Sequence, residues 1–223
     1  DLHRRRHSFP TRRSSDLATV AGLPLGAHAQ GPAAARKPVE GTDYLSLDKR
    51  IPTDVGAGKI ELIEFFWYSC PHCNAFEPQF AAWKKAAPKD VVVQRVPVRF
   101  RDDFEPQQRA YYVFEALNLV DVMHAKLFHA IHAERQQLNT AAALAAWADK
   151  NGLPEKKFTE TYNSFGVASK ARRATQLQEA FKVQGVPALG VAGRFYTDGS
   201  LTQTMDRALQ VAEYLLGEVR RGR

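Results

Sequence analysis

Cysteine is scarce in this sequence, whose 223 residues include two, Cys70 and Cys73. A structural zinc site usually needs four cysteine or histidine ligands, and an iron–sulfur cluster needs four thiolates, so neither is expected. A haem attachment site needs histidine directly after the second cysteine, where this chain has Asn74. A purely structural disulfide would close so short a loop that it would add little stability. Redox catalysis by the Cys-x-x-Cys pair is the interpretation that remains.

Long apolar segments and dense clusters of charge are missing as well. No run of 18 apolar residues occurs, so the sequence predicts no transmembrane helix. The formal net charge is +7, but the basic residues form no dense stripe and do not interleave with aromatic residues. A nucleic-acid partner is therefore not expected. With 44% hydrophobic and 25% charged residues, the chain can form one compact domain, or one domain with an insertion.

Residues 1–43 are expected to lie outside the folded domain. Segment 17–29 is apolar, rich in small residues and ends in an Ala-x-Ala pattern, which is typical of the end of a secretory signal. Residues 7–17 resemble translated adapter sequence, so we interpret the start as a residual signal or artefactual leader, with a disordered basic tail as the alternative. Residues 31–43 are rich in Pro, Gly and Ala and predict a flexible lead-in. A secretory signal would place the mature protein in an oxidising compartment.

A strand, a helix and a second strand follow one another around the cysteine pair. Residues 59–68 are nearly continuously apolar, as in a central strand buried on both faces, and residues 91–98 predict a parallel neighbour. Between them, residues 74–87 have helical periodicity. Three aromatic residues share one face of this helix and are expected in the core: Phe76, Phe80 and Trp83.

Residues 104–182 have a different composition from the rest of the chain. They are rich in Ala, Leu, Gln and Glu and nearly free of β-branched runs, which predicts a block of helices. Four or five helices are predicted in this block, at about residues 106–117, 121–132, 140–150, 155–163 and 168–182.

The end of the chain returns to strands. Residues 186–191 and 194–196 predict a hairpin, and residues 202–218 predict an amphipathic helix. The order β-α-β, helical block, β-β-α predicts an α/β, thioredoxin-like fold with an inserted helical domain. Residues 44–103 and 183–223 would form the thioredoxin-like domain around that insertion.

The cysteine pair lies where the apolar strand meets the start of the helix. Cys70 is expected near the N-cap, where free backbone N–H groups and the helix dipole stabilise a thiolate and lower the pKa. Cys73 lies one turn further and should be more buried, so we expect Cys70 to be the reactive sulfur and Cys73 to resolve a mixed disulfide. Pro71 suits the first helical turn. His72 is either a source of positive charge for Cys70 or an ordinary exposed residue.

Two further features supply candidate site residues. Glu64 interrupts the apolar strand, so it lies either at an exposed edge or buried beneath the cysteine pair. If it is buried, its pKa is raised and it could relay a proton from Cys73, with Arg95 as a charge partner. Val186 and Pro187 open the strand after the helical block. In a thioredoxin-like fold this loop faces the cysteines through a cis bond, and a trans turn is the alternative.

Three histidines, His124, His129 and His132, lie close together in the helical block. His129 and His132 share a helix face, so a metal site is conceivable. A solvated helix face is nevertheless the expected interpretation, and we expect no metal and no cofactor.

The sequence resembles the DsbA family of disulfide-introducing proteins from the periplasm of Gram-negative bacteria. The resemblance implies that Cys70 is a nucleophile of low pKa, that Cys73 is its partner, and that Glu64 is the buried acid. It also implies that Val186 and cis-Pro187 contact the substrate chain by backbone pairing. The resemblance covers residues 44–217 and rests on Glu64-Phe65-Phe66, Cys70-Pro71-His72-Cys73 and Gly185-Val186-Pro187-Ala188.

The same resemblance implies an activity and partners. A monomer in the periplasm would donate its disulfide to reduced, unfolded secreted proteins through a mixed disulfide. A quinone-linked, DsbB-like membrane oxidase would then reoxidise the cysteine pair. Arg95 stands where relatives often have lysine, so its pairing with Glu64 is a weaker inference.

Other functions share parts of this pattern. Disulfide isomerases usually dimerise through an extra N-terminal domain, for which this chain leaves no room. Cytosolic reductases prefer Gly-Pro between their cysteines, and kappa-type glutathione transferases usually lack the second cysteine. A non-catalytic binding module, such as a chaperone that uses the groove, would keep its activity when both cysteines are removed.

Overall fold

The core of the fold is a five-stranded sheet, seen in a computed structural model that describes residues 36–222. The predicted signal and leader at residues 1–35 lie outside the described residues. Strand β2 pairs parallel with β3 and antiparallel with β4, and the sheet order is β1-β5-β4-β2-β3. The strands, in chain order, are β1 (Leu45–Ser46), β2 (Ile60–Phe66), β3 (Val91–Pro97), β4 (Ala188–Val191) and β5 (Phe195–Asp198).

Strand β2 is the central element that positions the site. All seven of its residues are buried, which confirms the prediction of a strand covered on both faces. Glu64 lies in its middle, in register with Arg95 on β3 and with Leu189 on β4. A carboxylate in this position has a strand on each side and no direct access to solvent.

Helices cover both faces of the sheet. The predicted helical block is present, with its five helices preceded by a short 3-10 turn over Asp102–Phe104. The helices are α1 (Pro71–Ala86), α2 (Glu105–Ala116), α3 (Val120–His132), α4 (Ala141–Lys150), α5 (Glu155–Tyr162), α6 (Phe165–Ala180), α7 (Gly199–Thr202) and α8 (Met205–Arg220).

The buried side chains form two clusters, one toward the helical block and one toward α8. Phe76 and Phe80 of α1 are buried in the second cluster, as predicted. Trp83 packs against that cluster but stays half-buried, and its indole N–H donates to Glu213 at 2.7 Å. No helix among residues 36–222 is both long and apolar enough to cross a bilayer.

Helix α6 begins earlier than the sequence suggested. The predicted start at residue 168 is wrong, because the Ser164 hydroxyl accepts the backbone N–H of Val167 and caps a helix that starts at Phe165. Phe165 remains exposed, so no apolar periodicity marks this first turn.

The predicted closing helix is present as α8, which begins three residues later than predicted, and the short helix α7 precedes it. Gln203 adopts a left-handed backbone with φ of 70°, which ends α7. The Thr204 hydroxyl then caps α8 by accepting the N–H of Arg207. The left-handed backbone of Gln203 and the cap at Thr204 explain why α8 begins later than the periodicity predicted.

The residues that precede the first strand are anchored to the sheet. Asp43 is buried, and the Thr197 hydroxyl donates to its carbonyl oxygen at 2.7 Å. Leu45 and Ser46 then pair with β5, although no sequence pattern predicted a strand there. The expectation of a flexible lead-in is therefore wrong for the last residues of segment 31–43, which are anchored to the sheet.

Candidate active site

Cys70 is the N-cap of helix α1, as the sequence predicted. Its backbone is extended, with φ of −80° and ψ of 118°, and Pro71 occupies the first helical position. The backbone N–H of Cys73 donates to Cys70 Sγ at 3.3 Å. The sulfur thus takes the place that a serine or aspartate oxygen takes in an ordinary cap, where negative charge is stabilised.

The two sulfurs, both free thiols, have opposite acidities. The pKa of Cys70 is lowered to about 6, chiefly because the Cys73 thiol donates to it, with further help from backbone N–H groups and the positive charge of His72. Burial raises the pKa of Cys73 well above its usual value. Cys70 is 7% exposed and Cys73 is 0% exposed, in the predicted order. An acidic sulfur nearer the surface and a protonated one beneath it suit dithiol–disulfide exchange.

The loop before β4 faces the cysteine pair. The Val186–Pro187 peptide bond is cis, as predicted. The Cys70 thiol lies 3.3 Å from the carbonyl oxygen of Val186, a contact between residues 116 positions apart in the chain. Backbone groups of this loop are therefore within reach of anything bound to Cys70.

A groove of about 490 Å³ opens beside this loop. Exposed His72 lies on one side of it, at the start of α1. The sequence did not predict the opposite wall, which comes from α7, the turn after it and the start of α8, because nothing local marks those residues as facing the cysteines. The groove is lined by His72, Ala75, Phe76, Gln79, Gly185, Val186, Pro187, Asp198, Gly199, Ser200, Gln203, Thr204, Met205 and Asp206.

Glu64 is buried, so of the two expectations for this residue the exposed edge is wrong. Burial raises its pKa to about 7, against the lowering effect of the Arg95 guanidinium. Arg95 Nε donates to Glu64 Oε2 at 2.9 Å, which confirms the charge partnership. The negative charge of Glu64 in turn contributes to the raised pKa of Cys73, so the two groups are electrostatically coupled.

Sequence reasoning missed two groups of this buried cluster, Glu77 and Tyr68. Glu77 lies on α1 one turn after Cys73, and Arg95 Nη2 lies 2.7 Å from both of its carboxylate oxygens. The Tyr68 hydroxyl lies 2.9 Å from His124 Nδ1. The i, i+4 spacing from Cys73 was a usable signal for Glu77, whereas nothing near Tyr68 in sequence indicates its partner.

The expectation of a solvated histidine face is wrong for two of the three histidines. His124 is 2% exposed, and its Nε2 lies 3.3 Å from Glu77 Oε2. His132 is half-buried, with its Nε2 2.7 Å from the carbonyl oxygen of Tyr68, while His129 is exposed. The three side chains thus have separate environments, and no cluster of potential metal ligands occurs within residues 36–222.

Comparison of the sequence with known proteins gives a consistent result. A family model described as a DSBA-like thioredoxin domain matches residues 61–210. The thiol:disulfide interchange protein DsbA of Burkholderia cepacia is 36% identical over 205 residues, which are 92% of this chain and 95% of that protein. The DsbA of Bordetella parapertussis is 40% identical over 179 residues, or 80% of this chain and 85% of the relative.

Solved structures agree with the sequence comparison. DsbA of Pseudomonas aeruginosa superposes with a TM-score of 0.79 at 32% identity, covering 83% of this chain and 96% of that one. The oxidoreductase DsbA of Xylella fastidiosa gives 0.77 at 29% identity, covering 82% and 98%. The predicted thioredoxin-like fold with inserted helices is thereby confirmed. The chain belongs to the DsbA family and is a thiol:disulfide oxidoreductase.

Proposed function

We propose that this protein donates the Cys70–Cys73 disulfide to reduced, unfolded secreted proteins in the periplasm. The observation that carries the proposal is the pair of opposite acidities, a lowered pKa at Cys70 and a raised one at Cys73. The lowered pKa makes Cys70 a good leaving group, so a substrate thiol can displace it and keep the new disulfide.

The first step forms a mixed disulfide. A substrate thiolate attacks the Cys70 sulfur, a substrate–Cys70 bond forms, and the Cys70–Cys73 bond breaks. Cys73 leaves with the electron pair and takes up a proton, which Glu64 supplies. The raised pKa values of both groups support this transfer, because a carboxyl that titrates near 7 can hold a proton for a sulfur that binds it more tightly.

The second step releases the product. A second substrate thiolate attacks the substrate sulfur of the mixed disulfide and expels Cys70 as a thiolate. The substrate has then lost two electrons and the cysteine pair has gained them. A DsbB-like membrane oxidase accepts those electrons, passes them to a quinone and reforms the Cys70–Cys73 bond.

The substrate chain lies against the loop at Val186 and Pro187 in this proposal. The carbonyl oxygen of Val186 sits 3.3 Å from Cys70 Sγ, so an extended peptide joined to that sulfur can pair with the same backbone. His72 and the adjoining groove contact the side chains that flank the substrate cysteine. The protein acts as a monomer, since one chain supplies all of these groups.

Trapping of the mixed disulfide tests the proposal. We expect Cys73→Ser to accumulate disulfide-linked secreted proteins, because the intermediate has lost its intramolecular exit, and Cys70→Ser to accumulate none. The double serine variant is the matched control. Non-reducing electrophoresis followed by identification of the captured proteins gives the readout.

Equal trapping by the two single variants would overturn the assignment of roles. Full activity of the double variant in a folding assay would instead favour a non-catalytic binding module. If the protein forms mixed disulfides with cytosolic rather than exported proteins in intact cells, the periplasmic location is contradicted.

A further inference from the structure

Two buried carboxylates share one guanidinium in this protein. Glu64 on β2 and Glu77 on α1 both contact Arg95 on β3, and all three side chains are buried. With both carboxylates ionised, the group carries one excess negative charge away from water. Such a pair titrates as a unit and takes up one proton readily, so what matters is which carboxylate receives it.

The hydrogen-bond donors are divided unequally between the two carboxylates. Both Glu77 oxygens lie 2.7 Å from Arg95 Nη2, and one of them also lies 3.3 Å from His124 Nε2. Among the contacts within residues 36–222, Glu64 receives a single hydrogen bond, from Arg95 Nε at 2.9 Å. Donors stabilise the ionised form, so the negative charge is held on Glu77 and the proton is left to Glu64.

His124 is a donor to Glu77 because its other nitrogen is already occupied. Burial and the positive charges of Arg95 and Lys84 lower the pKa of His124, so its ring is neutral. Burial raises the pKa of Tyr68, whose hydroxyl keeps its proton and donates to His124 Nδ1 at 2.9 Å. The ring proton is then on Nε2, facing Glu77, and a single tautomer satisfies both contacts.

We propose that His124 is a positioning residue for disulfide exchange: its N–H holds the charge on Glu77 and thereby leaves the proton on Glu64, ready for Cys73. The inference rests on the proposed function in one respect, namely that the proton on Glu64 is transferred to Cys73. His124 lies on α3, so a helix of the inserted block sets the protonation of a residue in the central strand.

The other charged and titratable groups near His124 do not replace its N–H. The Tyr111 ring, from α2, lies 5.9 Å from the His124 ring, and burial raises the Tyr111 pKa, so it stays neutral. Lys84 on α1 and Asp121 on α3 act on His124 through their charge alone. The groups that face it from the packed elements are Tyr68, Glu77, Lys84, Arg95, Tyr111 and Asp121.

A carbon-13 NMR titration of glutamate-labelled, reduced protein tests the proposal. Glu64→Gln and Glu77→Gln assign the two carboxyl signals. In the wild type we expect the titration near neutral pH to belong to Glu64. In His124→Met it should move to Glu77, with the Glu64 midpoint falling by about one pH unit or more.

Two further substitutions distinguish the effect of the His124 N–H donor from the effect of its imidazole ring. His124→Gln can still direct an N–H at Glu77 and should keep the titration on Glu64. His124→Asn is too short to reach Glu77 and should behave like His124→Met, which keeps the test decisive if the methionine variant does not fold. His129→Gln, on the same helix but exposed, is the matched control and should change nothing.

Retention of the near-neutral titration on Glu64 in the methionine or asparagine variant would overturn the proposal. The same shift in the glutamine variant would also overturn it, because the ring and not the N–H would then be responsible. No substrate is present in this experiment, so its outcome is independent of mixed-disulfide trapping. Failure of either one is therefore recognisable on its own.

Discussion

Cys70 and Cys73 are chemically identical, and their different pKa values follow from their places on one helical turn. Cys70 is at the cap, where the Cys73 thiol and backbone N–H groups donate to its sulfur. Cys73 is inside the helix and fully buried, so ionisation there lacks solvation. The thiol that is held protonated is thus itself the main donor that makes its partner acidic.

This reciprocity predicts the effect of Cys73→Ala on Cys70. Removal of the Cys73 thiol should raise the Cys70 midpoint above about 6, because the largest lowering contribution is lost. The ultraviolet absorbance of the thiolate across a pH series measures the midpoint. Cys70→Ser, with no acidic thiol, should show no such transition. An unchanged midpoint in Cys73→Ala would mean that the backbone N–H groups suffice.

At the scale of elements, the turn between β4 and β5 fixes where the strand after Pro187 can lie. Ala192 and Gly193 have φ of 54° and 63°, the left-handed backbone that this tight turn requires. A Cβ on Gly193 would lie 2.0 Å from the carbonyl oxygen of Ile51, a backbone atom that cannot move aside as a side chain can. Glycine is therefore required here both for conformation and for space.

We predict that Gly193→Ala lowers the free energy of unfolding by about 2–3 kcal/mol, from backbone strain and overpacking together. Urea denaturation monitored by tryptophan fluorescence gives the value. Gly56→Ala is the matched control, since a Cβ there meets no atom within 4 Å, and it should be neutral or slightly stabilising. A Gly193 variant as stable as this control would show that the hairpin can relax away from Ile51.

For the whole molecule, the redox state is coupled to the stability of the fold. The interactions that stabilise the Cys70 thiolate exist only after reduction, and they do nothing for a neutral disulfide. Because these interactions lower the free energy of the reduced fold, they favour transfer of the disulfide to a substrate. An oxidant of this kind is less stable when oxidised, whereas an ordinary structural disulfide stabilises its protein.

The coupling predicts a pH dependence with a definite sign. Folding lowers the pKa of Cys70 from its ordinary 9.0 to about 6, so the stabilisation is present at high pH and is lost as pH falls through about 6. The stability advantage of the reduced form should therefore grow between about pH 6 and 9. The raised pKa of Glu64 has the opposite effect, but it acts in both redox forms and largely cancels in the difference.

Denaturant unfolding of both forms across this pH range measures the advantage. The free energy of unfolding of the double variant Cys70→Ser, Cys73→Ser should not depend on added oxidant. An oxidised form that is more stable at every pH would contradict the oxidant assignment and indicate a structural or reductase-like pair.

Local patterns in the sequence determined the parts of the site that lie close together in the chain. A continuous apolar run makes β2 a central strand, and the cysteine spacing with Pro71 places Cys70 at a helix start. The single acidic residue inside that run marked Glu64, and the neighbouring strand supplied Arg95. These features depend on residues within one β-α-β unit, where backbone propensity and periodicity leave few choices.

Tertiary structure decided which groups from elsewhere in the chain contact that unit. The loop at Val186 was expected to face the cysteines only through the predicted fold, and its carbonyl oxygen contacts Cys70 across 116 positions. His124 contacts Glu77 across 47 positions, and no periodicity predicts that pair. Side-chain donors in a low-dielectric core act through distances of a few ångströms, which only the packed chain fixes. The sequence therefore determined where the two thiols lie on the helix, whereas the packing of α3 and the β4 loop decided which groups surround them.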